Sequence, residues 1–233
     1  MDLAYLIELD KQLLLSVNGS PSLFLDGLAE TLTTASTWIP LYTALLYLVA
    51  KSNDSLQKEL LVVACAGMCV FLAGSLNDMF VKTAVARWRP THDVEIGGLV
   101  DVVNGYRGGS YGFFSSHASN TFSLAVFFSL LVRSRLLTFS LLAWSLLNCW
   151  TRMYLGVHFP GDILCGIVWG TLVGTVMWLI HRRVYRMLTT SVNYISTQYT
   201  STGYQFSDVD AVVSVLAFTL IYAILKACFF LYI

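Results

Sequence analysis

Six long apolar runs constrain this chain more than any other feature of its sequence. A helix that crosses a bilayer needs roughly 20 predominantly apolar residues. Runs that meet or approach this length lie at residues 31–50, 59–80, 117–133, 136–151, 161–181 and 210–231. The third and fourth are short and are joined by a tight turn, as in a helical hairpin. The pattern predicts an all-α fold, with residues 1–233 forming one polytopic membrane bundle of six transmembrane helices.

The composition agrees with this fold and excludes several other classes of protein. Charged residues make up 12% of the chain and hydrophobic residues 56%, whereas soluble domains carry roughly 25% charged residues. Basic and acidic residues balance at 14 each, without the basic surplus that nucleic-acid binding requires. The five cysteines lie in apolar segments at no metal-ligand spacing. We interpret them as packing residues rather than a disulfide framework.

The N-terminal segment predicts a helix at the membrane surface rather than a cleavable signal. Asp2, Glu8 and Asp10 stand where a signal peptide would carry basic residues. Leucine and isoleucine recur at roughly helical spacing within residues 2–16. We therefore expect residues 1–20 to hold an amphipathic helix that lies in the interface.

Three polar connections separate the predicted spans. Residues 82–116 form a glycine-rich loop, residues 152–160 a short loop, and residues 182–209 a linker. Six spans place the two loops on one side with six basic residues, and the linker on the other side with seven. Three of the six belong to the candidate site described next. Without them, the positive-inside rule puts the linker in the cytoplasm, and the two loops face the exterior or, in a bacterial inner membrane, the periplasm.

The first candidate cluster opens the glycine-rich loop. Lys82 and Arg89 are seven residues apart, so a helix that continued this far would place both on one face. Arg87 would then point elsewhere, and Pro90 would end the helix. Two cations on one face suit a phosphate, since a guanidinium binds two oxygens at once. A basic flank that reaches for lipid headgroups is the alternative interpretation.

The second cluster directly precedes the third apolar run. Ser115 and Ser116 are favourable N-cap residues, which places His117 in the first turn of the following helix. Backbone N–H groups at a helix start bind anions, and a bound phosphate can keep a histidine protonated so that it acts as an acid. The alternative is an ordinary serine cap followed by an interfacial histidine. His92 and His181 have no such neighbours, and we assign them no function.

The third cluster precedes the fifth run. Pro160 suits the first position of a helix, so His158 lies just before that helix and Asp162 in its first turn. An aspartate at this spacing can accept a ring N–H, which fixes the tautomer and leaves the other ring nitrogen free to attack. Arg152 adds a third cation. A structural Asp–His pair that caps the helix is the alternative, but ionisable residues at a membrane edge are usually functional.

The three clusters together resemble the phosphatidic acid phosphatase type 2 superfamily. The motifs Lys-x6-Arg-Pro, Ser-x-His and Arg-x5-His-x3-Asp occur in this order over residues 82–162. The resemblance implies that His158 is a nucleophile that forms a phosphohistidine, that Asp162 orients it, and that His117 protonates the leaving oxygen. It implies that the phosphate oxygens are held by Lys82, Arg89, Arg152, Ser115 and Ser116. The chain has no HExxH or CxxC motif and no paired-carboxylate cage, and we predict neither a metal nor a cofactor.

Two motifs depart from the usual family pattern. Phe114 replaces a proline and Ser116 a glycine in the second motif, and Thr151 replaces a serine in the third. The positions that carry the implied chemistry are retained. The departure at Ser116 bears on how tightly the phosphate-binding turn can close.

The function implied by the resemblance is a metal-independent lipid phosphate or lipid pyrophosphate phosphatase. The candidate substrates are isoprenyl diphosphate, phosphatidylglycerol phosphate, phosphatidic acid and the phosphates of lipid A, and the residues do not choose among them. A lipid phosphotransferase would use the same site. A transporter would place ionisable residues inside several spans, whereas most lie at span ends here. The sequence sets no oligomeric state.

Overall fold

The computed structural model describes residues 2–188 and 197–229. In this part of the chain the fold is helical, with two isolated β-bridges and no strand, which confirms the all-α prediction. The helices are α1 (Leu3–Val17), α2 (Leu23–Thr33), α3 (Ile39–Ser52), α4 (Leu56–Val70), α5 (Lys82–Val85), α6 (Ser116–Val132), α7 (Arg135–Tyr154), α8 (Pro160–Leu188) and α9 (Phe206–Phe229). The centre of the predicted 182–209 linker and the end of the predicted 210–231 span lie outside the described residues.

Three helices of the described chain are long and apolar enough to cross a membrane. The first is continuous from Leu56 to Val85 and joins α4 to α5 through two π-helical turns; the others are α8 and α9. The bent pair of α2 and α3 makes a fourth candidate if it counts as one span. Helix α6 has 17 residues, and α7 buries the polar residues Ser145, Asn148, Thr151 and Arg152. The described residues thus hold three or four candidate spans, against six in the sequence prediction.

The predicted span at 31–50 is wrong as a single helix. Helix α2 ends at Thr33, and a 3₁₀ turn over Ala35–Trp38 leads into α3 at an angle of 68°. Pro40 lies in the first turn of α3, where its missing N–H breaks no helical hydrogen bond. Its ring would clash with a helix that continued straight from α2 into α3. Thr37 Oγ1 and Trp38 Nε1 donate to carbonyls of the last turn of α2, at 2.7 and 2.8 Å. These bonds stabilise the break in place of the lost helical ones.

Small residues set the central helix packing. Gly166, Gly170 and Gly174 recur every fourth residue on α8 and face the backbone of α6. A Cβ atom on Gly170 would lie 2.3 Å from the carbonyl oxygen of Ser119. The two backbones therefore approach as closely as small-residue interfaces in membranes allow. This contact fixes the first turn of α6 beside the first turn of α8.

Helix α1 lies across the end of the bundle where these first turns meet. Leu14 is its one fully buried side chain, and it packs with Phe159, Ile96 and Val100. Large apolar side chains remain exposed on the other faces of α1, including Leu3, Leu6 and Leu13. The helix therefore covers the loop between α7 and α8 on one side and offers an apolar surface on the other.

Candidate active site

Three chain segments meet at this end of the bundle. They are the turn after α5, the start of α6 and the connection between α7 and α8. His158 lies in that connection and is 1% exposed, and Asp162, in the first turn of α8, is 0% exposed. The Oδ2 atom of Asp162 accepts from the backbone N–H of Phe159 at 3.1 Å and lies 3.6 Å from Nδ1 of His158. The second distance exceeds a hydrogen bond, as is common in catalytic pairs before a substrate binds.

The other ring nitrogen of His158 faces Arg89. The Nη1 atom of Arg89 lies 3.3 Å from Nε2 of His158 and also donates to the carbonyl of Val157 at 3.1 Å. The Nε atom of Arg89 donates to the carbonyl of Tyr111 at 3.2 Å. Gly108 has a φ of +67°, and a Cβ atom there would lie 2.9 Å from Nη1 of Arg89. The glycine-rich loop thus packs closely against the guanidinium, at Gly108 and at Tyr111.

The expectation that one continuous helix presents Lys82 and Arg89 is wrong. Helix α5 ends at Val85, Ala86 adopts a left-handed conformation with a φ of 51°, and Arg89 is extended. The two cations are still close enough to interact electrostatically. A turn, rather than a helical face, brings them together.

The expectation that Arg87 points away from the site is also wrong. Its Nη1 atom donates to Oδ1 of Asp162 at 2.7 Å, and its Nη2 atom to Oδ2 of Asp10 at 2.6 Å. Its guanidinium also lies 4.3 Å from the centre of the Phe159 ring. The prediction for Arg87 assumed a continuous helix. The left-handed turn at Ala86 ends that helix and changes which side chains face the site.

Arg152 completes the set of cations near the end of α7. It is 2% exposed, and it donates to the hydroxyl of Thr33 and, at 3.2 Å, to that of Tyr106. Its Nε atom has no hydrogen-bond partner in the described part of the protein. The half-buried ring of His117 lies against the Thr33 backbone and interacts electrostatically with Arg152. The end of α2, displaced by the break after it, therefore forms one wall of the site.

The two serines before His117 make their contacts inside the protein. Ser115 caps α6 through Ala118 and donates its backbone N–H to the carbonyl of Asp162 at 3.1 Å. The hydroxyl of Ser116 donates to Asp78 Oδ1 at 2.7 Å and accepts from the side chain of Asn77 at 2.9 Å. Asp78 also forms an ion pair with Lys82 at 2.6 Å. The predicted helix start is present, and a carboxylate that was not predicted lies beside it.

Burial and the neighbouring cations together favour the neutral form of His158. Burial lowers the pKa of His158 well below its ordinary value, and Arg89, Arg152 and Lys82 act in the same direction. A neutral imidazole has one protonated nitrogen and one acceptor nitrogen. Because a guanidinium only donates, the acceptor is Nε2, and the proton resides on Nδ1 beside Asp162.

The family profile of the PAP2 superfamily matches residues 33–186. The chain belongs to the PAP2 superfamily. The match includes all three motifs and most of the helical bundle around them, and it confirms the family resemblance of the sequence.

Two relatives of this PAP2 chain are similar to it over most of their length. A lipid A 4'-phosphatase of Bacteroides thetaiotaomicron is 36% identical over 181 residues, which cover 77% of this chain and 80% of the relative. A lipid A 4'-phosphatase of Porphyromonas gingivalis is 33% identical over 177 residues, covering 76% and 75%. No solved structure matches the chain. The family membership and the similarity to both relatives show that the chain is a phosphatase, a phosphoric monoester hydrolase.

The PAP2 site contains residues that the sequence motifs did not reveal. Asp78 lies one helical turn before Lys82, a spacing at which ion pairs form on helices, and this signal could have been recognised. Asp10 and Thr33 come from α1 and α2, and nothing in their local sequence relates them to the motifs. Among residues 2–188 and 197–229, no three His, Cys, Asp or Glu side chains are placed to share a metal ion.

Proposed function

We propose that this PAP2 chain hydrolyses a lipid phosphate through a phosphohistidine at His158, without a metal ion. The observation that carries the proposal is the orientation of the buried imidazole, which directs Nε2 toward Arg89 and Nδ1 toward Asp162. An unprotonated ring nitrogen among cations is what in-line attack on a phosphorus atom requires. The cluster supplies positive charge from side chains where metal-dependent phosphatases use bound ions.

The proposed reaction proceeds in two displacements. Nε2 of His158 attacks phosphorus, the bond to the lipid oxygen breaks, and His117 gives its proton to that oxygen. Water then attacks the phosphohistidine and gives a proton to His117, which releases phosphate and restores both histidines to their starting states. In both steps preplaced donors stabilise the negative charge on the phosphoryl oxygens, and this stabilisation contributes more to such catalysis than any other effect. We assign this role to Lys82, Arg89 and Arg152. Ser115 contributes by capping α6, and Ser116 through its backbone N–H at the start of that helix.

The proposed substrate is a phosphate of lipid A. Both relatives named above are lipid A 4'-phosphatases, and each is similar to this chain over at least three quarters of its own length. Isoprenyl diphosphate, phosphatidylglycerol phosphate and phosphatidic acid are the comparison substrates, because the same cations would bind their phosphates.

We further propose a six-span membrane topology with the site on the outer face. Helix α6 has 17 residues and α7 has 20, which lies within the range of roughly 17–25 residues that spans a bilayer. With both counted as spans, Arg182, Arg183 and Arg186 at the end of α8 lie on the cytoplasmic side, and the site opens to the periplasm or exterior.

The deciding experiment measures phosphate release from the four lipids in detergent with excess EDTA. We expect the wild type to release phosphate from lipid A fastest, and the His158→Ala variant to lose at least about 1,000-fold in rate. Lys11→Gln, a charge change outside the site, serves as the matched control. Activity that is abolished by EDTA, or retained by His158→Ala, would refute the mechanism. Faster release from another lipid would refute only the choice of substrate.

A further inference from the structure

The carboxylate of Asp10, on the N-terminal helix, is linked to the candidate site by one side chain, that of Arg87. Asp10, on α1, accepts from Nη2 of Arg87 at 2.6 Å and from the backbone N–H of Gly161 at 2.7 Å. Arg87 in turn donates from Nη1 to Asp162 at 2.7 Å. The side chains of Asp10 and Arg87 are 15% and 28% exposed. A continuous series of contacts therefore runs from α1 to the carboxylate beside His158.

The two oxygens of Asp162 have separate partners. Oδ2 faces the His158 ring and the Phe159 N–H, whereas Oδ1 accepts from Arg87. A fully buried carboxylate is costly unless it is paired and hydrogen-bonded. Arg87 forms that ion pair, and it fixes the rotation of the carboxylate, because one oxygen is held away from the imidazole.

Arg87 is itself held on three sides. Asp162 and Asp10 bind its two terminal nitrogens, and the ring of Phe159 lies 4.3 Å from the guanidinium carbon. Burial on its own would lower the pKa of Arg87, but the two carboxylates outweigh it and raise the pKa above its ordinary value. The guanidinium is therefore a permanent cation of fixed orientation.

We propose that Asp10 and Arg87 are positioning residues that hold Asp162, and through it His158, in the orientation needed for attack. The proposal rests on the proposed function, since it assigns these residues to the same reaction. In the described part of the chain, neither residue forms a hydrogen bond or ion pair with Lys82, Arg89 or Arg152, the proposed phosphate ligands. Their loss should lower kcat and leave substrate binding nearly unchanged. Partners of this kind, one contact removed from the reacting group, change activity by about 10- to 100-fold in metal sites.

The chain provides a matched control for the docking of α1. Lys11, the next residue on the helix, forms an ion pair with Glu95 in the glycine-rich loop. This pair ties the same helix to the same loop as Asp10 and Arg87 do, without contacting Asp162. A role limited to tethering α1 would give both pairs similar effects.

The test compares steady-state hydrolysis of the preferred lipid by wild type, Asp10→Asn, Arg87→Met, Arg87→Lys and Lys11→Gln, each purified as a monodisperse protein in detergent. We expect kcat to fall about 10-fold in Asp10→Asn and about 100-fold in Arg87→Met, with KM within about threefold of wild type. Arg87→Lys should lose less kcat than Arg87→Met, because lysine keeps the positive charge but cannot bind both carboxylates in the geometry of a guanidinium. Inhibition by inorganic phosphate should be unchanged in all variants. Lys11→Gln should stay within about twofold of wild type.

Three results would overturn this assignment. Unchanged kcat in Asp10→Asn and Arg87→Lys would show that Asp162 needs neither residue. Equal losses of kcat in Lys11→Gln and Asp10→Asn would show that Asp10 only tethers α1 to the loop. A raised KM at constant kcat in the Asp10 and Arg87 variants would show a role in substrate binding. If Arg87→Met fails to fold, Asp10→Asn and Arg87→Lys decide the outcome. Failure of the proposed function is distinct, because the wild type would then be inactive or His158→Ala active.

Discussion

The guanidinium of Arg89 points at the imidazole of His158, with Nη1 3.3 Å from Nε2. Since arginine has no acceptor, this contact identifies Nε2 as the nitrogen with the free lone pair. The Nδ1–H then faces Asp162 across 3.6 Å. One side chain thereby selects the tautomer of the proposed nucleophile and lies where it could contact a phosphate bound to that ring nitrogen.

The first prediction concerns the titration of His158. Burial, the neighbouring cations Arg89, Arg152 and Lys82, and the nearby His117 lower its pKa, so the neutral, nucleophilic form should persist as the pH falls through 6.5, the ordinary value of a histidine. ¹⁵N-histidine NMR in detergent micelles measures this directly, with the His158 signal identified by its absence in His158→Ala. We expect a midpoint well below 6.5.

Removal of one cation gives the matched test of this cause. Arg89→Gln takes a positive charge from beside the ring, so protonation becomes less unfavourable and the midpoint should rise toward 6.5. The substitution Arg107→Gln, in the same loop but hydrogen-bonded to Thr91, should leave it unchanged. A wild-type midpoint at or above 6.5 would contradict the neutral nucleophile.

The second prediction separates the geometry of Arg89 from its charge. Arg89→Lys retains a cation but loses the bonds to the carbonyls of Val157 and Tyr111. A single ammonium cannot reproduce this forked arrangement, and the loss of one charge-stabilising donor costs about 100- to 1,000-fold in rate. We expect kcat/KM for lipid phosphate hydrolysis to fall by about 100-fold. Arg107→Lys should remain within twofold, and comparable losses in both variants would indicate a general effect on the loop.

Local signals predicted the parts of the fold that depend on neighbouring residues. The turn expected at 133–135 is present, because α6 ends at Val132 with Arg133 left-handed, and Ser134 caps α7. Ser115 caps α6 in the same way. Helix caps and short turns depend on a few neighbouring residues, so a single sequence is sufficient to find them.

Contacts between distant segments were not predictable in this way. The break after Thr33 depends on bonds from Thr37 and Trp38 to carbonyls six residues earlier, and Pro40 was its one visible sign. Asp10 and Arg87 are 77 residues apart, and no periodicity relates them. The motifs therefore indicated the proposed catalytic residues, whereas the structure was needed to find the residues that contact them.

The third prediction concerns Asp78, whose carboxylate binds Lys82 at 2.6 Å and Ser116 at 2.7 Å. A phosphate held by Lys82 would lie near this negative charge, and like charges a few ångströms apart repel by about 1 kcal/mol or more in a partly exposed site. Asp78→Asn keeps the shape and removes the charge. We expect inorganic phosphate to inhibit this variant at about 5-fold lower concentration than wild type. Weaker inhibition would mean instead that the carboxylate holds Lys82 in its binding position.

The fourth prediction tests the close contact between α6 and α8. A Cβ atom on Gly170 would lie 2.3 Å from the carbonyl of Ser119, so even alanine must push the helices apart. Overpacking of this kind costs about 1–3 kcal/mol, and we expect Gly170→Ala to lower the Tm in detergent by several degrees. Gly67→Ala is the control, since nothing lies within 4 Å of its Cβ position; its Tm should not fall. Because the same contact sets Ser115 against the carbonyl of Asp162, Gly170→Ala should also lower kcat at temperatures where it is folded. Full activity in a destabilised Gly170→Ala would show that the first turns of α6 and α8 keep their positions without this packing.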